Sequence, residues 1–282
     1  MVEFIYNGGL SLMDNLNFLT AGVPLSAKGY EDGFKVLENM NLDGLELEFV
    51  RGVRISDKSR EVVGVSKKVI TAHAPFYVNL NAREEEKVEA SIQRIIETAQ
   101  TANELGGYSI TFHAGFYLGM DKESVYKQIR DKIEIIITEL DKANNKIWIR
   151  PETTGKATQW GDLEEIVQLS KEFPTVLPCV DFSHLHARYN GISNTYDEFA
   201  KIFEKIGNEL GQIALDNFHA HIAGIDYGIK GEKKHLNLEE SDMNYRDLLR
   251  AFRSFNIKGA IVCESPNIEE DAALMKKYYL SL

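Results

Sequence analysis

Cysteine is scarce in this sequence, since its 282 residues include only Cys179 and Cys263. Two cysteines are too few for a disulfide framework, whereas a chain of this length can bury a large hydrophobic core. Both cysteines lie in apolar, strand-like runs, and neither belongs to a Cys-x-x-Cys pair. We therefore expect core-facing thiols rather than metal ligands at both positions.

Long apolar runs and a leader-like start are also lacking. No stretch of about 18 apolar residues occurs, so the sequence contains no candidate membrane-spanning helix. Residues 1–10 lack the basic and apolar regions of a signal peptide and have the pattern of a first strand. The sequence thus predicts a cytoplasmic protein without a membrane partner, and we expect a monomer.

A surplus of basic residues is the third feature that is missing. Lys and Arg number 32 against 43 Asp and Glu, which gives a formal net charge of -11. This balance disfavours a nucleic-acid partner, because such partners usually contact a basic surface. The argument weakens if some of the carboxylates bind divalent cations, since the ions would then supply positive charge where a phosphate lies.

Strand-like and helix-like segments alternate along the whole chain. Apolar residues at helical spacing, such as Val88, Ile92, Ile95 and Ala99, identify the helices. The predicted helices are residues 83–105, 122–142, 162–173, 195–207, 244–255 and 267–279. The predicted strands are residues 3–6, 44–50, 69–74, 108–113, 146–152, 176–181, 217–222 and 259–264.

Eight strands alternating with helices in a chain of this length predict an α/β fold of the (β/α)8 TIM-barrel type. A doubly wound open sheet is the competing architecture. Such a sheet would favour a glycine-rich phosphate loop after an early strand, but neither G-x-G-x-x-G nor a P-loop motif occurs. No linker or change in composition divides the chain, so we predict a single domain over residues 1–282.

Six consecutive predicted strands end in a residue that can bind a metal. In a barrel the C-terminal strand ends meet at one mouth, where active sites lie. Any one of these residues could be a structural histidine or a loop cap, but six at the same topological position predict a shared metal site. Their nitrogen and oxygen atoms suit zinc or manganese. The six are His73, His113, Glu152, Asp181, His221 and Glu264.

The number of donors indicates more than one ion. A catalytic zinc takes about three protein ligands, so six donors predict a bridging carboxylate, and Glu152 in mid-series is the best candidate. Two adjacent metals suit in-line attack on a phosphodiester. His184 and His235, in loops after the sixth and seventh strands, are candidates for a third site. His219, two residues before His221, points to the same side and is expected to pack or support rather than bind.

These segments together resemble the endonuclease IV family of AP endonucleases, within the xylose-isomerase-like group of barrels. The resemblance covers almost the whole chain, and the ordered set of motifs is specific although no single motif is. It implies a trinuclear zinc enzyme that cleaves double-stranded DNA 5′ to abasic sites by attack of a metal-bound hydroxide. The motifs are His73-Ala74-Pro75 with Asn79-Leu80, Phe112-His113-Ala114-Gly115, Glu152-Thr153-Thr154-Gly155, Asp181-Phe182-Ser183-His184, His221 and Glu264-Ser265-Pro266-Asn267.

The resemblance also assigns ligands to the zinc ions, for which manganese is a possible substitute. It makes Glu152 the bridging and central catalytic ligand. By this assignment His73, His113 and Glu152 hold the first ion, Glu152, Asp181, His221 and Glu264 hold the second, and His184 and His235 belong to the third.

Two positions need separate treatment. Lys233 stands where the family has an aspartate two residues before the loop histidine. Either Glu232 replaces that ligand after a small backbone shift, or the third site is weak or empty and Lys233 contacts a phosphate, which leaves an enzyme with two metal ions. Phe76 and Tyr77, after the third strand, are placed to insert into the DNA stack, with packing at the barrel mouth as the alternative.

Two other functions stay open. A sugar isomerase or epimerase on the same barrel would use Glu152 and Glu264, with an Asp and a His, around one manganese or similar ion. The acidic charge favours this class, and the many histidines disfavour it. A non-catalytic barrel that binds damaged DNA or a sugar phosphate is the third class, and only Lys233 favours it. The number of bound ions separates the first two classes.

Overall fold

Eight parallel strands close into a barrel in this computed structural model, which describes residues 12–282. The barrel order is β6-β4-β3-β2-β1-β12-β9-β8, and bridges from Ile149 to Val176 and from Glu152 to Cys179 join its two ends. Two short antiparallel pairs, β5 with β7 and β10 with β11, lie outside it. The strands are β1 Leu16–Ala21, β2 Gly44–Glu48, β3 Val69–His73, β4 Ser109–Phe112, β5 Gly115–Phe116, β6 Trp148–Pro151, β7 Gln159–Trp160, β8 Cys179–Asp181, β9 Phe218–Ile222, β10 Gly224–Gly228, β11 Gly231–Leu236 and β12 Gly259–Cys263.

The first barrel strand among the described residues, β1, is one that the sequence pattern did not predict. The predicted strand at residues 3–6 lies outside the described residues. Residues Leu16 to Thr20 pair in parallel with Gly259 to Cys263, and Leu19 to Ala21 pair with Gly44 to Glu46. A short apolar run carries little signal by itself, so its pairing on both sides decides the assignment.

The helices surround the barrel and follow the predicted pattern closely, with α1, α2, α6 and the short α8 as additions. His184 and His235, which were predicted to lie in loops, lie on α6 and on β11. Several begin at side-chain caps. Asp162 and Glu165 form a capping box, and Asp121 accepts a hydrogen bond from the Ser124 amide. The helices are α1 Tyr30–Asn39, α2 Asp57–Gly64, α3 Glu85–Glu104, α4 Lys122–Lys142, α5 Leu163–Glu172, α6 Phe182–Arg188, α7 Tyr196–Leu210, α8 Gln212–Leu215, α9 Tyr245–Ser254 and α10 Glu269–Leu280, with a 3-10 turn at Leu238–Glu240.

The main hydrophobic core lies between the barrel wall and the helices. The predicted apolar face of α3 is buried there, including Ile95 and Ala99, and α3 packs beside α4, whose Ile133 is buried in the same core. Each of these isoleucines contributes about 1.5–3 kcal/mol on burial. Gly44 and Gly259 permit close strand approaches, because a Cβ atom would lie 1.8 Å from the Val69 carbonyl oxygen at Gly44 and 2.0 Å from the Phe218 carbonyl oxygen at Gly259.

The barrel interior is different, because only Leu19, Ala260 and Val262 form an apolar cluster there among the described residues. Polar side chains occupy much of the remaining interior, which leaves room for chemistry at the mouth. The predicted TIM-barrel fold is confirmed, while the extent of the domain over residues 1–282 stays a prediction. Within residues 12–282, none of the helices has the length and apolar character needed to cross a membrane.

Candidate metal centre at the barrel mouth

The six strand-end residues predicted from the sequence meet at one end of the barrel. His73 and Asp181 are the last residues of β3 and β8, and His113, Glu152 and Glu264 directly follow β4, β6 and β12. His221 is the penultimate residue of β9. Parallel strands of one barrel bring their C-terminal ends together, and this brings the six side chains within contact distance.

Glu152 lies at the centre of the group and is almost fully buried. Its Oε2 lies 3.1 Å from His73 Nε2, a hydrogen bond. Its Oε1 lies 3.1 Å from both His113 Nε2 and His184 Nδ1, and 3.5 Å from His221 Nδ1. One carboxylate therefore contacts four imidazole rings that four separate chain segments supply.

Several of these contacts have the length of a hydrogen bond without its direction. Within residues 12–282, Glu152 Oε1, Asp181 Oδ2 and His221 Nδ1 are buried atoms without a hydrogen-bond partner. Yet Asp181 Oδ2 lies 3.2 Å from His184 Nδ1, and His221 Nδ1 lies 3.2 Å from Glu264 Oε1. Buried polar atoms are normally satisfied, and donor atoms that face a common point instead of each other suit a cation. The residues thus fit a metal centre.

The donors at the mouth fall into three sets, each with its ligand atoms within 4.8 Å of one another. Two carboxylates are shared, because Glu152 belongs to the first and second sets and Asp181 to the second and third. The sets are His73, His113 and Glu152; then Glu152, Asp181, His221 and Glu264; then Asp181, His184 and His235. Bridging by Glu152 was expected, and sharing of Asp181 is an addition from the structure.

Asp181 also connects β8 to the helix that carries His184. Its Oδ1 accepts a hydrogen bond of 2.6 Å from the His184 amide, so the aspartate caps α6. The helix begins directly after the strand, and this turns His184 back over the mouth, where its Nδ1 lies 3.0 Å from the Thr153 carbonyl oxygen. The Asp-x-x-His spacing thus fixes two donors on one rigid turn.

Charge is balanced within the site between carboxylates and imidazoles. Burial raises the pKa of Asp181 to about 7. Burial also opposes ionisation of Glu264, but the charge of His221 outweighs it and lowers the pKa to about 2. For His73 burial disfavours the charged ring, yet the Glu152 carboxylate outweighs this and raises the pKa to about 10. Carboxylates that stabilise positive charge on imidazole in this way also suit a cation.

The β10–β11 hairpin places Lys233 and Glu232 on different sides. Asp226 pairs with Lys234 and Tyr227 with Glu232, so Lys233 is the extra residue of a β-bulge. Its Nζ lies 3.1 Å from Asp226 Oδ1 on the exposed side of the hairpin. Glu232 faces inward instead, with Oε2 3.6 Å from His184 Nε2. Glu232 thus has the position predicted for a replacement ligand, and the contact of Lys233 with a phosphate stays a prediction.

Gly155 makes room for this arrangement. A Cβ atom at Gly155 would lie 2.7 Å from Glu232 Oε2 and 3.1 Å from His184 Cδ2. The Glu232 amide donates a 3.0 Å hydrogen bond to the Gly155 carbonyl oxygen, which holds the hairpin against the mouth. His235, whose ring centroid lies 5.5 Å from that of His184, completes this side of the site.

Phe76 and Tyr77 lie in the loop after β3. They are 59% and 50% exposed, and their ring centroids lie 4.0 Å apart. The guanidinium of Arg94 lies 5.8 Å from the centroid of Tyr77. The two rings contact each other and leave about half of their surface exposed, so insertion into DNA and packing at the mouth both stay predictions.

Two carboxylates of β2, Glu46 and Glu48, are absent from the sequence prediction. Glu46 is fully buried inside the barrel between His219 and His221. Glu48 pairs in register with His73, and burial of its carboxyl together with the charge of Glu46 raises its pKa to about 8. Because they are two residues apart, both side chains lie on the same side of the strand, and this spacing could have identified them in the sequence as a pair of inward-facing carboxylates.

Comparison with known sequences places these features in context. A sequence profile described as Xylose isomerase-like TIM barrel matches residues 34–278. A protein of Methanocaldococcus jannaschii, itself described as uncharacterized, is 48% identical over 272 residues, which cover 95% of this chain and 98% of that protein. A probable endonuclease 4 of Mycoplasma pneumoniae is 25% identical over 209 residues, which cover 72% of this chain and 70% of that protein.

Solved structures show the same architecture. A D-tagatose 3-epimerase-like protein superposes with a TM-score of 0.73 at 19% identity, covering 94% of this chain and 97% of that one. Endonuclease IV from Thermus thermophilus superposes with a TM-score of 0.68 at 16% identity, covering 95% of this chain and 100% of that one. Similarity at these identities shows a common fold and leaves the reaction to be argued from the site.

Proposed function

We propose that this chain, which belongs to the xylose isomerase-like TIM-barrel family, is a metal-dependent AP endonuclease that cleaves DNA 5′ to abasic sites in base excision repair. The observation that carries this proposal is the series of three donor sets joined by Glu152 and Asp181. Adjacent ions bridged by carboxylates suit phosphodiester cleavage. The distant similarity to a probable endonuclease 4 supports the same conclusion.

Each donor set has a part in this proposal. His73, His113 and Glu152 would hold the first ion, and Glu152, Asp181, His221 and Glu264 the second. Zinc bound there would supply an activated water and would offset negative charge on the phosphate and on the leaving oxygen. His113 and His73 are the more exposed members, so the first set faces an incoming substrate, while Asp181 and His221 are shielded from water.

The third set would bind its ion through Asp181, His184 and His235, with Glu232 as an added ligand. Replacing Glu232 by glutamine is expected to lower the affinity of the third site for its ion by roughly tenfold or more, because the side chain that faces His184 loses its charge. Titration of metal-free protein against a competing chelator measures this affinity. Lys233→Gln is the matched control, since Lys233 is next to Glu232 in the chain but its side chain contacts Asp226 on the exposed side of the hairpin. A larger loss in Lys233→Gln than in Glu232→Gln would contradict the assignment.

Phe76 and Tyr77 would stack on bases beside the abasic gap. Replacing either by alanine is expected to weaken binding of abasic duplex by roughly tenfold, since stacking of a base on an aromatic ring contributes about 1–3 kcal/mol. Fluorescence anisotropy with a labelled duplex measures the change, and the number of bound ions stays constant. Val65→Ala is the control, because Val65 is exposed in the loop before β3, at the opposite end of the barrel. Equal affinities in all three variants would exclude the stacking role.

The direct test of the proposal is incubation of zinc-loaded protein with a duplex that contains one abasic site. We expect a single nick on its 5′ side, with a 3′-hydroxyl end. An undamaged duplex of the same sequence should stay intact. If the protein demonstrably binds zinc and leaves the abasic strand uncut, the proposal fails.

One observation favours a second function, that of a sugar isomerase or epimerase. The set of Glu152, Asp181, His221 and Glu264 would by itself hold one ion, and two of its four ligands are glutamates. The epimerase-like structure also superposes with the higher TM-score of the two structures described above. Manganese-loaded protein that epimerises a ketose and leaves abasic DNA uncut would establish this alternative.

A further inference from the structure

A fourth group of donor atoms lies deeper in the barrel than the mouth. Cys179, His219 and His221 have ligand atoms within 4.8 Å of one another, and all three are fully buried. Cys179 of β8 pairs in register with His219 of β9, so their side chains are neighbours on the inner wall. Glu46 reaches the same place from β2.

The Glu46 carboxylate lies between the two rings. Its Oε1 lies 3.1 Å from His221 Nε2, and its Oε2 lies 3.2 Å from His219 Nε2. Within the described part of the chain, Glu46 Oε1 and both Nε2 atoms are buried without a hydrogen-bond partner. Atoms this close would form hydrogen bonds if each N–H pointed at the oxygen, so the two rings lie beside the carboxylate without donating to it.

The neighbours of this group hold it in that orientation. Ser109 Oγ lies 2.8 Å from His219 Nδ1, which directs Nε2 of the same ring toward Glu46. Thr71 donates a 2.8 Å hydrogen bond to Glu46 Oε2. Leaving a buried polar atom unsatisfied costs about 1–3 kcal/mol, so a cation bound in this interior group would stabilise these atoms.

We propose that Cys179, His219 and His221 form an interior zinc site beneath the mouth, in addition to the three sets above it, with the Glu46 carboxylate beside the two rings. This assignment departs from the sequence-based expectation that Cys179 only packs and that His219 only supports. One thiolate and two imidazoles are zinc ligand types, and the adjacent carboxylate is another. Binding replaces the Cys179 thiol proton, which passes to solvent, by a metal–sulfur bond. The site does not depend on what reaction the mouth performs.

His221 links the interior site to the mouth. Its Nδ1 faces Glu264 and its Nε2 faces Glu46, so one ring has a donor in each centre. An ion held at Nε2 fixes the ring and points Nδ1 at the second mouth set. The interior ion is therefore a positioning element for the mouth as well as a stabilising one.

Cobalt substitution tests the proposal, because a cobalt–thiolate bond gives a near-ultraviolet charge-transfer band that nitrogen and oxygen ligands do not give. We expect this band in the wild type, its loss in Cys179→Ser, and one ion fewer per chain in that variant. Cys263→Ser is the matched control, since Cys263 is equally buried on a barrel strand but packs in the hydrophobic core. A wild-type spectrum without the band, or an unchanged ion count in Cys179→Ser, would overturn the proposal.

The wild type alone is sufficient if a variant does not fold, which circular dichroism would reveal. X-ray absorption at the zinc edge should show a sulfur neighbour at about 2.3 Å. A spectrum fitted by nitrogen and oxygen alone excludes Cys179 as a ligand. None of these measurements uses catalysis, so a failure of the nuclease proposal leaves them unaffected.

Discussion

Replacing Glu152 by glutamine is expected to lower turnover by roughly a thousandfold or more. The carboxylate contacts His73, His113 and His184, and it belongs to two donor sets. Glutamine has nearly the same shape but no charge and only one oxygen acceptor, so it cannot bridge two cations. Loss of the several kcal/mol that metal ions contribute to the transition state corresponds to this change in rate.

Single-turnover cleavage of an abasic duplex measures the effect, with elemental analysis of the same samples. Glu270→Gln is the matched control, because this exposed glutamate of α10 undergoes the same chemical change away from the donor sets. Full activity with a full set of ions in Glu152→Gln would contradict the bridging role. If the wild type acts on neither abasic DNA nor a ketose, there is no activity to lose, and a non-catalytic binding barrel becomes the better description.

Removing the bound ions with a chelator is expected to lower the melting temperature by roughly 10 °C. Glu46, Glu152, Asp181 and Glu264 lie close together at the mouth and inside the barrel, and cations offset their mutual repulsion. A ligand that binds only the folded state at a thousandfold excess over its Kd stabilises it by about 4 kcal/mol. In a chain of this size each kcal/mol shifts the midpoint by about 2–4 °C.

Differential scanning calorimetry of loaded and stripped protein measures this shift, and adding zinc back should reverse it. Magnesium is the control ion, since it prefers six oxygen ligands and should restore little of the lost melting temperature. An unchanged midpoint in protein shown to have lost its ions would contradict the prediction. Counting ions in Cys179→Ser, which lacks the interior site, then isolates the mouth. Two or three ions there favour the nuclease, and one favours the isomerase or epimerase.

The sequence determined the architecture and most of the mouth. Helical periodicity placed α3 and α4 to within a few residues, and the regular recurrence of His73, His113, Glu152 and the later strand ends indicated a common site. This worked because a barrel converts a position along each strand into a position in space. A residue at the C-terminal end of any strand must lie at the mouth.

Three features were decided only by the tertiary structure. The strand β1 is defined by its pairing on both sides, and a short apolar run cannot specify its partners. The bulge at Lys233 depends on the register of the hairpin, and it alone turns Glu232 toward His184.

The interior group is the third such feature. Glu46 meets His219 and His221 across the barrel, although β2 and β9 are separated in the sheet by β1 and β12. Local sequence shows which side of a strand a residue faces, because that follows from the alternation along one strand. What it meets there depends on barrel closure and on the stagger between strands, which are properties of the whole chain.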